Sequence, residues 1–384
     1  MVLYVAAIVS VPFVGQYGPL PSTVMLDAWF GLFLISALLT NRWNAPLLLG
    51  VVVAFGFTRV VGFFATSSPA EDFFQAYRWV FYLAAFAIGV RRVWTPVGGL
   101  VALTWTLLSL ATVKAALGVV LVSGSLRPGL FLENNFELAL FCGLVAVMYR
   151  FLGRGRFPMI ALLGVLVLLS GSRSGAVTYV VLLVYAFTQI PRTHSTLFLR
   201  FVTLIAAPIG VLIPVWIFSE RADGSRIDRL NFLDVFLYET SDWNLLNWLL
   251  GTPPITPLSN EGCLALAWYQ DLFASTGDGS CYVVILHAFV LRVIFDAGLL
   301  GLGLAFGVAW VALRRSDVSR MLSLTLIGIA AANSLSVSGL NNPYVALPIL
   351  LAMLTAKVAV HGAEMSRGSG AVEGAEFGPE VKRA

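Results

Sequence analysis

Charged residues are scarce in this sequence, and their scarcity restricts the class of protein that it encodes. Only 11% of the 384 residues are Asp, Glu, Lys or Arg, whereas 59% are hydrophobic. A soluble globular domain carries roughly 25% charged residues, so this chain lacks the polar groups that cover a water-facing surface. Apolar runs recur from end to end, each approaching the roughly 20 residues with which a helix crosses a bilayer. The composition predicts an all-α, polytopic membrane protein.

Cysteine is also rare, and its spacing argues against a cysteine-based metal centre. The chain has three cysteines and three histidines, and none forms a CxxC or paired Cys/His arrangement. We therefore predict no metal site and no cofactor. Cys142 lies within an apolar run and is interpreted as a packing residue. Cys263 and Cys281 fall in one long loop, where an oxidising compartment would permit a disulfide; a disulfide and two free thiols both remain open.

The amino-terminal segment lacks the features of a cleaved signal peptide. MVLYVAAIVSVPFVG has no basic residue and no small-residue cleavage site, so we interpret it as a first membrane helix. About twelve spans are expected in all, with approximate centres at Ala6, Leu32, Val53, Ala84, Leu107, Val145, Val165, Leu182, Ala206, Ala305, Leu326 and Leu350. Spans one to nine then occupy residues 1–218, and spans ten to twelve occupy 284–361.

Basic residues are distributed unevenly among the connections between these spans. One alternate set of connections holds Arg42, Arg91, Arg92, Arg150, Arg154, Arg156, Arg192, Arg200, Arg314, Arg315 and Arg320. The positive-inside rule places that set and both termini in the cytoplasm. One large loop, residues 219–283, then lies outside between spans nine and ten. The polar, Gly-rich tail, residues 362–384, is expected to be a disordered cytoplasmic segment.

Several polar residues lie on the expected outer side, where arginine is unusual. The turn SGSRSG surrounds Arg173 with small residues, and a guanidinium with exposed backbone amides suits a phosphate or diphosphate group. An equally weighted alternative is that Arg173 pairs with a carboxylate and fixes the turn. The stretch RPGLFLENN adds Arg127, Glu133 and Asn135. Because Arg127, Arg173 and Arg292 all map to this side, we favour anion binding.

Three more basic residues fall within or near the expected spans. A lysine at the centre of a membrane helix costs roughly 2.5–3.5 kcal/mol and usually faces a cavity or a partner. Lys114 in span five is therefore expected either to line a cavity for a lipid phosphate or to pair with Asp27 of span two. Arg59 and Arg78 are expected to reach the outer interface with their charged ends. The alternative is that they pair with Glu71 and Asp72, which precede span four.

The stretch CYVVILHAFVLRVIFDAGLLG, residues 281–301, brings three ionisable residues to the start of span ten. The imidazole of His287, with a reference pKa of about 6.5, can take a proton from a sugar hydroxyl. A single histidine at a membrane boundary is, however, more often a hydrogen-bonded structural residue. If the stretch is one continuous helix, His287 faces away from Arg292 and Asp296, which lie four residues apart and are expected to form an ion pair.

In these motifs the chain resembles the O-antigen ligase and polymerase superfamily of bacterial envelope glycosyltransferases. The resemblance covers the layout of nearly the whole chain, and it is sharpest in SGSRSG, RPGLFLENN and HAFVLRVIFDAGLLGLG. It implies twelve spans, one large periplasmic loop, and metal-independent transfer of a glycan from a polyprenyl diphosphate carrier to an acceptor hydroxyl. Ala288 is a departure, because the family often has asparagine after the histidine.

The resemblance also implies roles for individual residues. His287 matches the histidine proposed as general base or acceptor-positioning group, and Arg173 and Arg127 match arginines thought to hold the carrier diphosphate. Asp296 matches a supporting acidic position, usually glutamate, before GLLG. The predicted site therefore comprises His287 as the catalytic residue, substrate-binding Arg173, Arg127, Arg292 and Lys114, and supporting Asp296, Glu133, Asn135 and Ser172.

Together these observations predict an inverting glycosyltransferase of the bacterial inner (cytoplasmic) membrane with its active site facing the periplasm. No motif identifies the acceptor: we favour a polysaccharide polymerase, and the alternative is an O-antigen ligase that uses lipid A-core. A lipid-linked glycan transporter is a further alternative, which would favour internal repeats and midplane charges. Expected partners are the carrier-linked donor, the acceptor glycan or lipid A-core, the lipid bilayer and a chain-length regulator. Nucleic acid is not expected.

Overall fold

The computed structural model describes residues 2–40, 43–66, 69–93, 96–122, 128–131, 133–190, 228–274 and 279–372. Within these ranges the chain is helical and contains no β-strand, which confirms the all-α prediction for this part of the protein. The expected ninth span and Arg127 lie outside the described residues, as do the beginning of the expected outer loop and residues 373–384.

The helices follow the apolar runs of the sequence. In chain order they are α1 (Val2–Ser10), α2 (Ser22–Leu39), α3 (Pro46–Thr66), α4 (Ala70–Gly89), α5 (Val97–Leu121), α6 (Asn134–Met148), α7 (Arg156–Ser170), α8 (Arg173–Gln189), α9 (Asp228–Glu239), α10 (Leu245–Leu250), α11 (Asn260–Ala265), α12 (Phe289–Arg315), α13 (Arg320–Ser334) and α14 (Pro343–Val372). Short 3₁₀-helices occur at Tyr149–Phe151, Gly153–Gly155, Ala267–Leu272, Val283–Leu286 and Gly339–Asn341. α14 thus continues past position 362, where the disordered tail was expected to begin.

Length and apolar composition decide which of these helices can cross a membrane. Among the described residues, 5 segments qualify: Ser22–Leu39, Pro46–Thr66, Val97–Leu121, Gly153–Ser170 and Phe289–Arg315. This fits an α-helical membrane protein. Every expected span centre that falls in described residues does lie in an α-helix, but the expected count of twelve is not reached. α1 has 9 residues and α6 and α13 have 15 each, which is short for a hydrocarbon core about 30 Å thick.

The centre of the fold is α6, whose residues are all buried. It packs against α8, α13 and α14. α14 comes close because Gly143 has no side chain: a Cβ there would lie 2.6 Å from the side chain of Pro348, a small-residue contact typical of membrane helices. By contrast, α3 buries only Leu49 and Val52. Most of α3 therefore forms the outer, apolar surface of the bundle.

The stretch expected to be one continuous helix is interrupted twice. Val283–Leu286 is a 3₁₀-helix, His287 follows with φ 52°, and α12 begins only at Phe289. Inside α12, Gly298 has φ 65° and ψ −173°, a backbone conformation that is essentially restricted to glycine. The continuous-helix prediction is wrong. The angular relation of His287 to Arg292 and Asp296 that followed from it does not apply.

The expected outer loop folds back onto the membrane helices. It contains α9, α10 and α11, and a disulfide joins Cys263 to Cys281 with a Cα–Cα distance of 5.8 Å. α10 packs at the break in α12, where a Cβ on Gly298 would lie 2.2 Å from the carbonyl of Leu249. The loop therefore contacts α12 at Gly298, several residues after the first residue of that helix.

Candidate functional site

The connection between α7 and α8 is the short turn that SGSRSG predicts. Gly171 ends α7 with φ 61°, and Ser172 caps α8 by accepting a hydrogen bond from the Gly175 N–H at 3.0 Å. Arg173 is the first residue of α8 and is half-buried. Its position puts a guanidinium beside the amino-terminal, positive end of a helix dipole, which is a favourable place for an anion.

Asn135 connects this turn to two other helices. Its Oδ1 accepts hydrogen bonds from the Ser172 hydroxyl at 2.6 Å and the Ser174 hydroxyl at 2.9 Å. Its Nδ2 donates to Glu133 Oε1 at 3.1 Å, and its backbone carbonyl accepts from Asn333 Nδ2 at 3.0 Å. Residues of the two motifs RPGLFLENN and SGSRSG therefore meet at the amino-terminal ends of α6 and α8. We call Glu133, Asn135 and Ser172, together with Arg173 next to Ser172 in the chain, the Asn135 cluster.

Lys114 lies next to this region but does not pair with Asp27. Lys114 and Glu137 are both fully buried, and they attract each other electrostatically. Glu137 Oε2 also accepts a hydrogen bond of 2.9 Å from the Phe131 N–H, while the Lys114 ammonium lies 6.0 Å from the centre of the Phe131 ring. The predicted Lys114–Asp27 pair is wrong because α5 turns its lysine towards α6.

Asp27 pairs instead within the neighbouring group of helices. Arg78 Nε lies 3.5 Å from Asp27 Oδ2, and the Tyr82 hydroxyl donates to the same carboxylate. Arg78 therefore has an acidic partner on α2, a pairing that the sequence did not suggest. Arg59 donates through Nη1 to the Asp296 carbonyl at 2.8 Å and stacks 5.0 Å from the Phe55 ring centre. Arg78 thus joins α4 to α2, and Arg59 joins α3 to α12.

His287 lies between the 3₁₀-helix Val283–Leu286 and α12. It is half-buried, and its ring packs edge-on against Phe232 of α9 with 5.9 Å between the ring centres. The neighbouring Val283 and Leu286 belong to the same apolar core of the outer loop. The structure therefore places the predicted catalytic histidine at the base of the outer loop.

Arg292 and Asp296 lie in the first part of α12, and each is only 4% exposed. Within the described residues no salt bridge joins them, and Arg292 Nη2 donates instead to the Ala76 carbonyl at 3.4 Å. Arg292 joins α12 to α4 and is too buried for the direct diphosphate contact that the sequence suggested. Asp296 attracts Arg292 and Arg59 electrostatically. Tyr77 interacts electrostatically with Arg59, Arg292 and Asp296, and we call these four residues the Asp296 cluster.

The break in α12 leaves backbone carbonyls that other segments satisfy. The Phe295 carbonyl accepts from the Thr252 N–H at 2.8 Å and from the Thr252 hydroxyl at 3.0 Å. The Asp296 carbonyl accepts from Arg59. A cation at the carboxyl end of a helix segment also suits the helix dipole. The outer loop and α3 therefore hold the broken helix in place.

A cavity of about 650 Å³ lies beside the Asp296 cluster, bounded by α2, α3 and α4. Its polar lining consists of Asp27, Arg59, Glu71, Gln75, Tyr77 and Arg78. None of these six residues belonged to the predicted site: Asp27, Arg59, Glu71 and Arg78 were expected only as pairing or interfacial residues, and Gln75 and Tyr77 were not singled out. Their only sequence signal is that they lie on the polar part of α4, between its acidic first turn and Arg78. The sequence does not show that residues of α2 and α3 lie beside them in the cavity wall.

No protein-family model matches this chain, and comparison with curated proteins and with solved structures gives no match either. In the described ranges, no three His, Cys, Asp or Glu side chains come together in a group able to hold a metal ion. The side chains of the two clusters carry guanidinium, amide, hydroxyl and carboxylate groups.

Proposed function

We propose that this protein is a membrane glycosyltransferase that moves a glycan from a polyprenyl diphosphate carrier to an acceptor hydroxyl. The supporting observation is the Asn135 cluster, where residues from the motifs RPGLFLENN and SGSRSG meet at two helix amino-terminal ends. The motif resemblance supports the same activity. Within it we favour a polysaccharide polymerase, with an O-antigen ligase as the alternative.

The proposed role of the Asn135 cluster is to receive the leaving diphosphate. A diphosphate is already a good leaving group, so the protein mainly has to neutralise its charge and orient the acceptor. Arg173 supplies a bidentate donor at the amino-terminal end of α8. Asn135 would hold Ser172, the cap of α8, and so orient Arg173. His287 would take the proton of the acceptor hydroxyl, and direct displacement would invert the anomeric carbon.

The proposed topology has twelve spans in the inner membrane of a bacterium, with both clusters towards the periplasm. The distribution of arginine supports this orientation, because Arg150, Arg154 and Arg156 lie at the ends of α6 and α7 opposite to the Asn135 cluster. The donor would approach laterally from the bilayer, and the acceptor glycan from the periplasm.

A transfer assay with purified protein in nanodiscs tests the proposal. We expect carrier-linked donor and acceptor to give a longer glycan with the natural protein, and Arg173→Ala to lose at least a hundredfold in rate, since removing one preorganised donor to a developing anion typically costs about 10²–10³-fold. Arg154→Ala is the matched control, because Arg154 is exposed at the other end of α7. Equal rates for the two variants would refute the assignment.

Transport of a lipid-linked glycan is a second candidate, and the break in α12 at Gly298 favours it, since discontinuous helices are typical of transporters. Proteoliposomes loaded with a fluorescent carrier-linked glycan separate the two functions. Movement of the donor across the bilayer without formation of a new glycosidic bond would identify a transporter. New glycosidic bonds without movement of the donor would identify a transferase.

A further inference from the structure

The cavity beside the Asp296 cluster has a lining that differs from that of an anion site. Its two cationic groups, Arg59 and Arg78, are matched by the two carboxylates Asp27 and Glu71. Behind this wall Arg292 is likewise matched by Asp296. A phosphate in the cavity would therefore meet as many negative as positive charges. A neutral group that both donates and accepts hydrogen bonds fits the balanced wall better.

Buried polar atoms at the back of the cavity lack hydrogen-bond partners. In the described part of the chain these include Arg59 Nε and Asp296 Oδ1, and the Tyr77 hydroxyl lies near Arg59 without a hydrogen bond of normal geometry. A buried polar group without a hydrogen-bond partner destabilises the fold. Arg59 and Tyr77 both line the cavity. If Arg59 or Tyr77 rotated towards a bound hydroxyl group, its buried polar atom would gain the hydrogen bond that it lacks.

A side chain from another segment contacts the backbone of the helix that presents Tyr77. Asn341 Oδ1 accepts from the Trp79 N–H at 2.8 Å, and Asn341 Nδ2 donates to the Gln75 carbonyl at 2.6 Å. The side chains of Gln75, Tyr77 and Arg78, all in the cavity wall, therefore come from a turn of α4 that Asn341 anchors through the backbone.

The remaining lining is apolar, with three phenylalanines, and part of it lies on the exposed surface of the bundle. Phe73, Phe74 and Phe81 line the cavity together with Val60. Phe74 is 72% exposed and Val60 is 41% exposed on the apolar outer surface that α3 helps to form. A ligand would thus enter between α3 and α4 from the bilayer. Such a ligand needs an apolar chain as well as a polar headgroup.

We propose that this cavity binds a glycolipid through an uncharged sugar headgroup. Sugar hydroxyls would donate to Asp27 and Glu71 and accept from Arg59, Arg78 and Tyr77, while ring faces would pack on the phenylalanines. The alkyl chain would lie along α3 in the bilayer. This role rests on the proposed function in one respect only: a glycosyltransferase needs a glycan-bearing ligand besides the leaving diphosphate.

Three amphiphiles with the same alkyl chain distinguish the headgroups. They are dodecyl maltoside, dodecyl phosphate and a dodecyl polyethylene glycol ether, each titrated into the full-length protein in nanodiscs and followed by native mass spectrometry. We expect the maltoside to bind most tightly. Tyr77→Phe should weaken it about tenfold, which corresponds to one hydrogen bond of the ordinary strength, and Tyr4→Phe, on exposed α1, should not.

Gln75→Leu provides a second variant, because Gln75 is exposed and its replacement leaves the backbone contacts with Asn341 intact. It should also weaken maltoside binding several-fold. Preferential, Tyr77-dependent binding of dodecyl phosphate would overturn the proposal, as would equal binding of all three amphiphiles. Maltoside binding at this cavity by a protein that transfers no glycan would refute the proposed function and support the glycolipid site.

Discussion

The break in α12 makes a sharp prediction about Gly298. Replacing it with alanine adds a Cβ to a residue with φ 65° and ψ −173°, where a non-glycine residue carries about 1–3 kcal/mol of backbone strain. The same Cβ would lie 2.2 Å from the Leu249 carbonyl carbon and 2.5 Å from the Leu250 nitrogen. These contacts are with backbone atoms, so rotation of a side chain does not relieve them.

Gly303, in the same helix, is the matched control. A Cβ there meets nothing within 4 Å, and glycine in a helix interior is roughly 0.5–1 kcal/mol less favourable than alanine. Gly303→Ala should therefore raise the free energy of unfolding slightly, while Gly298→Ala should lower it by at least about 2 kcal/mol. The two variants should differ by about 3 kcal/mol.

Unfolding by dodecyl sulfate in mixed micelles, followed by far-UV circular dichroism, measures this difference for the two purified variants. The expected result is a lower midpoint for Gly298→Ala and an unchanged or higher one for Gly303→Ala. If the two midpoints coincide, α10 does not pack closely against α12 at Gly298, and the break in α12 is not held by the loop.

Three further predictions concern the disulfide, His287 and the topology. Replacing both Cys263 and Cys281 with serine should lower stability by about 3 kcal/mol, because the bridge closes a loop with a sequence separation of 18; an unchanged unfolding midpoint would contradict this. His287→Ala should reduce glycan transfer about 10²–10⁴-fold without loss of donor binding, and natural turnover would exclude a base role. Cysteine at exposed Trp268 should react with an impermeant maleimide in intact cells and cysteine at Arg154 should not; the reverse would invert the topology.

The sequence predicted the local features of the Asn135 cluster well. The small residues of SGSRSG indicated a tight turn, and the structure has one, with Ser172 as the cap of α8. Such a turn depends on neighbouring residues alone, because glycine and serine supply the helix end and the cap. What the sequence did not contain was the distance from Asn135 to this turn. That contact is decided by the packing of α6 against α8.

The Asp296 cluster was predicted only in part. Arg292 and Asp296 were recognised as ionisable residues of an apolar segment, and their spacing suggested an ion pair. The structure instead gives Arg292 the Ala76 carbonyl and gives Arg59 the Asp296 carbonyl. A spacing of four residues makes two side chains neighbours on a helix, but carbonyls from other segments compete for the same guanidinium.

The sequence by itself determined that this is a helical protein of membrane-like composition. It did so because few charges cannot cover a soluble surface, and because a helix satisfies its backbone hydrogen bonds within its own segment. The tertiary structure alone decided which polar groups lie near each other: Glu137 near Lys114, Arg78 beside Asp27, and the carbonyl of Asp296 beside Arg59. It also decided the break at Gly298. Glycine permits that backbone conformation, but the close packing of α10 against Gly298 depends on the fold of the whole chain.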